Sequence, residues 1–200
     1  SKSFTTADTM ANAETAKSWL RDQLGAERTL EKHFIGVSLD RHRMTQFGID
    51  EENQLPLWEW VGGRYSVWSA IGLSIAISIG MYAFEQFLAG AYEMDRHYQE
   101  TALRYNIPVI MALVGIWNNN FWNANTLAVL PYDHRLHVLP SFLQQLEMES
   151  NGKSVTMENQ YVDYDTAPVI WGEFGPNAQH AFYQLLHQGT RFIPTEFIAV

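Results

Sequence analysis

The chain has no cysteine, so disulfides, thiolate metal sites and a cysteine nucleophile are all excluded. It is also poor in positive charge. Thirteen lysines and arginines stand against 22 acidic residues, a net charge of −9. A nucleic-acid partner needs a cationic face to displace counterions, and this composition argues against one. Charged residues of both signs reach only 18%, below the ~25% usual for soluble domains. No Gly-x-Gly-x-x-Gly, phosphate-loop lysine motif or Gly-x-Ser-x-Gly elbow occurs, which argues against the common nucleotide kinases and serine hydrolases. The opening Ser1-Lys2-Ser3-Phe4-Thr5-Thr6 has neither the charged start nor the apolar run of a secretory signal.

Apolar and aromatic residues are abundant instead, with 14% aromatics and seven tryptophans among 200 residues. Little charge beside so many rings predicts a face hidden inside a larger protein or against a second copy. Residues 66–84 carry no charge over 19 positions, near the ~20 needed to cross a bilayer. Ser66, Ser69, Ser74 and Ser78, with Gly72 and Gly80, interrupt that run. Ser66, Ala70 and Ser74 fall four apart, as closely packed helices require, so a buried helix is expected rather than a span. The uncharged stretch 105–132 is broken by Pro108, Pro131 and six asparagines.

Helical periodicity covers 10–24, where Thr5 and Asp8 fit a capping box and Gly25 a stop. Hydroxyls clustered at a helix N-terminus suit a phosphate, because free amides point outward and the dipole favours an anion, although taken alone this segment reads more simply as an ordinary N-cap. A strand is expected over 33–40, an amphipathic helix over 84–104, and an apolar helix over 109–121 with Pro108 in its first turn. Strands at 126–131, 169–171 and 192–200 then alternate with helices at 133–148 and 178–188. That alternation predicts parallel α/β layering. Ligands of such sheets sit beyond the carboxyl ends of the strands, a rim that 150–152 and 172–177 are expected to reach. An end on apolar 197–200 suggests a piece of a longer polypeptide.

Several residues could carry chemistry, each beside a plainer explanation. Gly62-Gly63-Arg64 sets a guanidinium next to backbone that a ligand can approach closely, or is a turn with a surface arginine. Glu149, at a helix end, is a candidate general base or a solvated glutamate. His180 follows a Gly-Pro-Asn turn and is either catalytic or structural. Asp133, His134 and His137 share a face that could ligate metal, but no second cluster completes it.

Three stretches together resemble the phosphoglucose isomerase family: Val61-Gly62-Gly63-Arg64-Tyr65-Ser66-Val67-Trp68-Ser69-Ala70-Ile71-Gly72-Leu73, Met148-Glu149-Ser150-Asn151-Gly152-Lys153, and Gly172-Glu173 with Gln179-His180-Ala181-Phe182-Tyr183-Gln184. Gln188-Gly189-Thr190 and the opening 1–6 agree with it. The resemblance implies an α/β fold, a parallel-sheet αβα sandwich of the sugar-isomerase (SIS) type. It implies that the chain is a middle portion of the family's length: 1–78 closing a first subdomain, 79–124 a helical connection, and 125–200 opening a second.

The activity implied is interconversion of glucose 6-phosphate and fructose 6-phosphate through a cis-enediolate, in glycolysis and gluconeogenesis, with no metal or organic cofactor. In that reading Glu149 moves the proton, Arg64 stabilises the enediolate and His180 assists ring opening. Ser1, Lys2, Ser3 and Thr6 form the phosphate cradle, and Gly63 and Gln145 contact the sugar. A cytoplasmic homodimer is implied, with His180 donated in trans, and neither nucleic acid nor membrane as partner. The sequence departs from the family pattern at Ser3, at Asp8 (where a glutamate usually partners the histidine), and at Phe174, Ala178 and Arg191. The family's upstream Gly-Ser contact and its C-terminal glutamine and lysine are absent, so the 200 residues alone are not expected to be active. A non-catalytic sugar-phosphate-binding module of the same fold is the alternative.

Overall fold

The computed structural model describes residues 1–25 and 32–200 and divides them into two compact units, Ser1–Tyr92 and Glu93–Val200. The first unit opens with helix α1 (Ala7–Leu24), closed by Gly25 at φ 82. The capping box expected of Thr5 and Asp8 does not form. Thr6 is the N-cap and its side chain makes no capping bond. The hydroxyls pair with one another instead, Ser1 with Thr6 at 2.8 Å and Ser3 with Thr5 at 2.5 Å.

Strand β1 (Gly36–Ser38), a shortened form of the one expected over 33–40, pairs in parallel with β2 (Gln54–Pro56). Helix α2 (Arg41–Phe47) crosses between them, begun where Asp40 accepts from the Arg43 N–H at 2.9 Å. Its buried Met44 and Phe47 join Ile49 in a core that Phe4, Met10, Ala13 and Phe34 cover.

The apolar stretch 66–84 is not the single buried helix that its spacing predicts. Short 3-10 turns at Gly63–Tyr65 and Ala70–Gly72 lead into α3 (Leu73–Ile79), which has no buried residue. Gly80, at φ 85, breaks the chain before α4 (Met81–Glu100). The serines supply the reason. Ser66 Oγ donates to the Gly63 carbonyl at 2.5 Å and Ser69 Oγ to the Ser66 carbonyl at 2.6 Å, offering the backbone a turn in place of a helix. Among the described residues no helix is long and apolar enough to cross a membrane.

In the second unit, Asn106 caps α5 (Ile107–Ile116) and Pro108 sits in its first turn, as expected. A parallel three-stranded sheet follows, of order β4–β3–β5, built from β3 (Thr126–Pro131), β4 (Val169–Gly172) and β5 (Thr195–Ile198). Central β3 is an unbroken apolar run whose Ala128, Val129 and Leu130 are fully buried, the pattern of a parallel strand covered on both faces. Helix α6 (Leu139–Leu143) and a π-helical continuation through Glu149 link β3 to β4. The helix expected over 178–188 is two pieces, α7 (Gly175–Ala181) and α8 (Tyr183–Gln188), because Phe182 at φ −148 interrupts the spiral. Parallel α/β layering is therefore present, as the alternation predicts.

Gly172 ends β4 at φ 154, and a Cβ there would stand 1.9 Å from the Val129 carbonyl oxygen on β3. Neither the dihedral nor the strand spacing admits a side chain. Gly172→Ala is expected to destabilise the fold by about 3 kcal/mol or more, read as a lower urea midpoint. A loss under about 0.5 kcal/mol contradicts this account of the β3–β4 junction.

Candidate active site

The hydroxyl loop 1–6 is shaped by its anchors. The Lys2 carbonyl accepts from the Leu39 N–H and from Ser38 Oγ, both at 2.9 Å, pinning the loop to the end of β1. Phe4 takes φ 55, uncommon for an aromatic residue, and its ring meets Phe47 edge-on at 5.7 Å in the core. With Phe4 turned inward, the hydroxyls of Ser1, Ser3, Thr5 and Thr6 gather ahead of the first turn of α1, where the free amides and the helix dipole favour an anion. The Lys2 ammonium donates to the Glu59 carbonyl, tying this loop to the segment that enters Gly62-Gly63-Arg64. Arg64 is half-buried in the 3-10 turn Gly63–Tyr65, which the buried Ser66 hydroxyl holds closed. The cradle residues and the Gly63–Arg64 turn thus belong to one connected part of the first unit.

In the second unit, Glu149 is the last residue of the π-helical turn Gln144–Glu149, a departure from regular helix often found at functional sites. The Gln145 Nε2 donates to Glu149 Oε2 at 3.1 Å, so these two expected site residues are in direct contact. One residue earlier, Gln144 Nε2 donates to the Ile170 carbonyl on β4 at 3.1 Å and fixes the turn against the sheet. The Lys153 ammonium donates to the carbonyls of Glu149 and Ser150, completing the turn that follows.

His180 is exposed near the end of α7, the helix that follows β4, and its neighbour Gln179 bonds to Tyr132 just past the carboxyl end of β3. Glu149 occupies the other side of the sheet. The helix from α6 to Glu149 runs back along β4, and Asn151 just beyond it lines one cavity with Thr166, Pro168 and Leu127, at the amino ends of the strands. The rim expected of 150–152 is therefore corrected: 172–177 lies beyond the carboxyl ends of the strands and 150–152 toward the amino ends. Parallel strands impose this, because a helix returning from one strand to begin the next must end at the starting edge.

The metal face considered at 133–137 is occupied otherwise. Arg135 donates to both Asp133 oxygens, at 2.9 and 2.6 Å, and holds that carboxyl at about 2. The His134 and His137 rings stack at 4.8 Å. Among the described residues no group of three or more His, Asp or Glu is arranged to hold a metal ion. Tyr132, which the sequence did not single out, links two residues that flank His180 in the chain: Gln179 donates to the Tyr132 hydroxyl at 2.9 Å, and that hydroxyl meets the Tyr183 hydroxyl at 2.7 Å. The two tyrosines are 51 positions apart, and no local pattern could have joined them.

A profile of the family described as phosphoglucose isomerase matches residues 1–200. The chain is 60% identical over 200 residues to a glucose-6-phosphate isomerase of Acinetobacter baumannii, and 59% identical to that of Hydrogenovibrio crunogenus. All of the chain is matched in both cases, yet it spans only 36% and 37% of those relatives' lengths. A crystal structure of a glucose-6-phosphate isomerase from Chlamydia trachomatis superposes with a TM-score of 0.88 at 37% identity, over 98% of this chain and 38% of that one. A hypothetical protein from Thermus thermophilus superposes at 0.79 with 26% identity, over 98% of this chain and 45% of that one.

A cavity of about 640 Å³ lies between α5 and the sheet, lined mostly by apolar side chains such as Ile110, Val114, Leu127 and Ile170, with Glu196 of β5 at its wall. Burial pushes the half-buried Glu196 carboxyl above its ordinary range. A raised value means that the folded state holds this proton more tightly. The charge therefore costs nothing at low pH, begins to cost as pH rises past the ordinary carboxylate range, and costs fully above the raised value. Glu196→Gln is expected to melt higher than the parent at about pH 8, with the gap closing by about pH 4. A gap that widens toward acid contradicts the assignment.

Proposed function

The chain belongs to the phosphoglucose isomerase family, and from that premise we propose that it supplies the proton-transfer machinery of an enzyme interconverting glucose 6-phosphate and fructose 6-phosphate. The reaction moves hydrogen between C1 and C2 of the open sugar. It needs a carboxylate that takes the C2 proton and returns it at C1, a cation beside the enediolate oxygens, and an acid/base group for ring opening. Glu149 is the base, Arg64 the cation and His180 the ring-opening group. The phosphate docks on Ser1, Lys2, Ser3 and Thr6 at the start of α1, with Gly63 and Gln145 against the sugar. None of these steps calls for a metal or organic cofactor. Residues 1–78 and 125–200 are read as parts of two SIS-type subdomains joined through 79–124, in a cytoplasmic enzyme of glycolysis and gluconeogenesis.

The observation that carries this reading is the Gln145–Glu149 contact at 3.1 Å on a π-helical turn braced to β4. A carboxylate needed only for solubility has no use for an oriented amide donor and a rigid turn. A phosphate sensor, likewise, needs the hydroxyl cradle and not this carboxylate. The active site is shared by two copies of the chain, with His180 reaching the Glu149 and Arg64 of its neighbour. The departure of Glu149 and His180 from opposite edges of one sheet supports that sharing.

In a polypeptide of the relatives' full length that carries these 200 residues, Glu149→Gln is expected to bind sugar phosphates normally. It should lose roughly three or more decades of turnover, because an amide accepts no proton from carbon. Deuterium uptake from solvent into the sugar should stop as well. Turnover within a few-fold of the parent removes Glu149 as the base.

A further inference from the structure

Around His180 the polypeptide does something that a continuous helix would not. It stops at Phe182 between α7 and α8, and the residues flanking the histidine converge on one side chain from another strand. Gln179, on α7, donates its amide N–H to the Tyr132 hydroxyl at 2.9 Å. Tyr183, the first residue of α8, shares a hydrogen bond with the same hydroxyl at 2.7 Å. Tyr132 directly follows β3, the most deeply buried strand of the sheet, and its N–H donates to the Ile198 carbonyl of β5 at 2.7 Å. Tyr132 is thus tied to β5 through its backbone and through its ring, which meets Phe197 at 6.5 Å, while its hydroxyl spans the helix break from one side to the other.

The packing requires this arrangement. A Cβ at Gly175 would come within 2.5 Å of the Tyr132 ring, so only glycine lets the ring lie against the first turn of α7. On the far side, Phe182 itself meets Trp171 of β4 edge-on at 4.8 Å, fixing where the break falls. Burial and the bond to Tyr132 raise the Tyr183 phenol to about 12, so it stays protonated and able to donate throughout any working pH.

Resting on the assignment of His180 to ring opening, we propose that the Tyr132 hydroxyl, shared by Gln179 and Tyr183, is the positioning element that sets His180 for that step. Tyr132 is a positioning residue, since it acts through the helix that carries the histidine. Both bonds to its hydroxyl come from residues adjacent to or one helical turn from His180. Losing them frees the ends of α7 and α8 to shift, and displacements near 1 Å are enough to cost up to ~10²-fold in an acid/base step. Proton transfer between C1 and C2, which uses Glu149 on the other edge of the sheet, does not depend on this contact.

The two steps separate experimentally. Opening and reclosing the ring interconverts the anomers of glucose 6-phosphate, which magnetisation-exchange NMR follows even when isomerisation is blocked. In full-length protein bearing Glu149→Gln, adding Tyr132→Phe is expected to slow enzyme-driven anomer exchange roughly tenfold or more. Gln179→Leu, which removes one of the same bonds from an exposed position, should slow it in the same direction. Affinity for an open-chain five-carbon aldonic acid 5-phosphate, which needs no ring opening, should stay within about twofold in both variants.

Unchanged anomer exchange in both variants overturns the proposal. An equal loss of affinity for the open-chain acid also overturns it, because the tyrosine would then serve the whole site rather than one step. Should Tyr132→Phe fail to fold, Gln179→Leu decides alone. His180→Ala in the same background tests the underlying assignment. If it leaves anomer exchange intact, the ring-opening role of His180 fails, and if Glu149→Gln alone shows no exchange, ring opening needs Glu149 too and the separation of steps on which the proposal rests is overturned. If His180→Ala abolishes exchange while both other variants retain it, the role stands and only the positioning fails.

Discussion

Strand β3 is the constraint from which the second unit takes its direction. Ala128, Val129 and Leu130 are closed off from water, and both neighbours are bonded to it in parallel. Parallel strands cannot be joined by a tight turn, so each connection must traverse the sheet and return. That requirement carries Glu149 to the amino edge and leaves His180 at the carboxyl edge. The separation of the two proposed catalytic groups is thus a consequence of strand polarity, and it is the observation behind the proposal that a second copy of the chain completes the site.

Much of this was legible in the residues, for identifiable reasons. Strand β3 reads directly because a strand covered on both faces becomes an unbroken apolar run, and 126–131 is one. Pro108 in the first turn of α5 and the stop at Gly25 follow from local chemistry that acts within a few residues. The stretch 66–84 misleads for the complementary reason. Its small-residue spacing matches a packed helix, but the hydroxyls of Ser66 and Ser69 bond back to nearby carbonyls and settle the chain into turns. Spacing records which residues could face together and says nothing of this competition. The capping box at Thr5 and Asp8 fails similarly, because the hydroxyls found one another before they found the helix.

The candidate site was legible in its residue types and less so in its geometry. Glu149, Arg64, His180 and the hydroxyl loop stand out by motif. The contact of Gln145 with Glu149 is four positions apart on a helix and could be anticipated. The inward turn of Phe4, which leaves the hydroxyls gathered at α1, depends on a core made by Met44, Phe47 and Ile49 far along the chain. The meeting of Tyr132 with Tyr183 depends on the pairing of β3 with β4 and on the bare backbone of Gly175. Such contacts exist only once the tertiary fold does, so a reading by local pattern passes over them.

The central claim is that the two edges serve different active sites, with His180 completing a site whose Glu149 and Arg64 belong to a partner copy. Two inactive full-length variants, Glu149→Gln and His180→Ala, test it when unfolded together and refolded as an equal mixture. If His180 acts in trans, a mixed dimer has one site with both defects and one site with neither. Random pairing makes about half of the dimers mixed, so about a quarter of the parent activity should return. If every site draws Glu149 and His180 from the same chain, each site keeps one defect, the mixture stays inactive, and the account is contradicted.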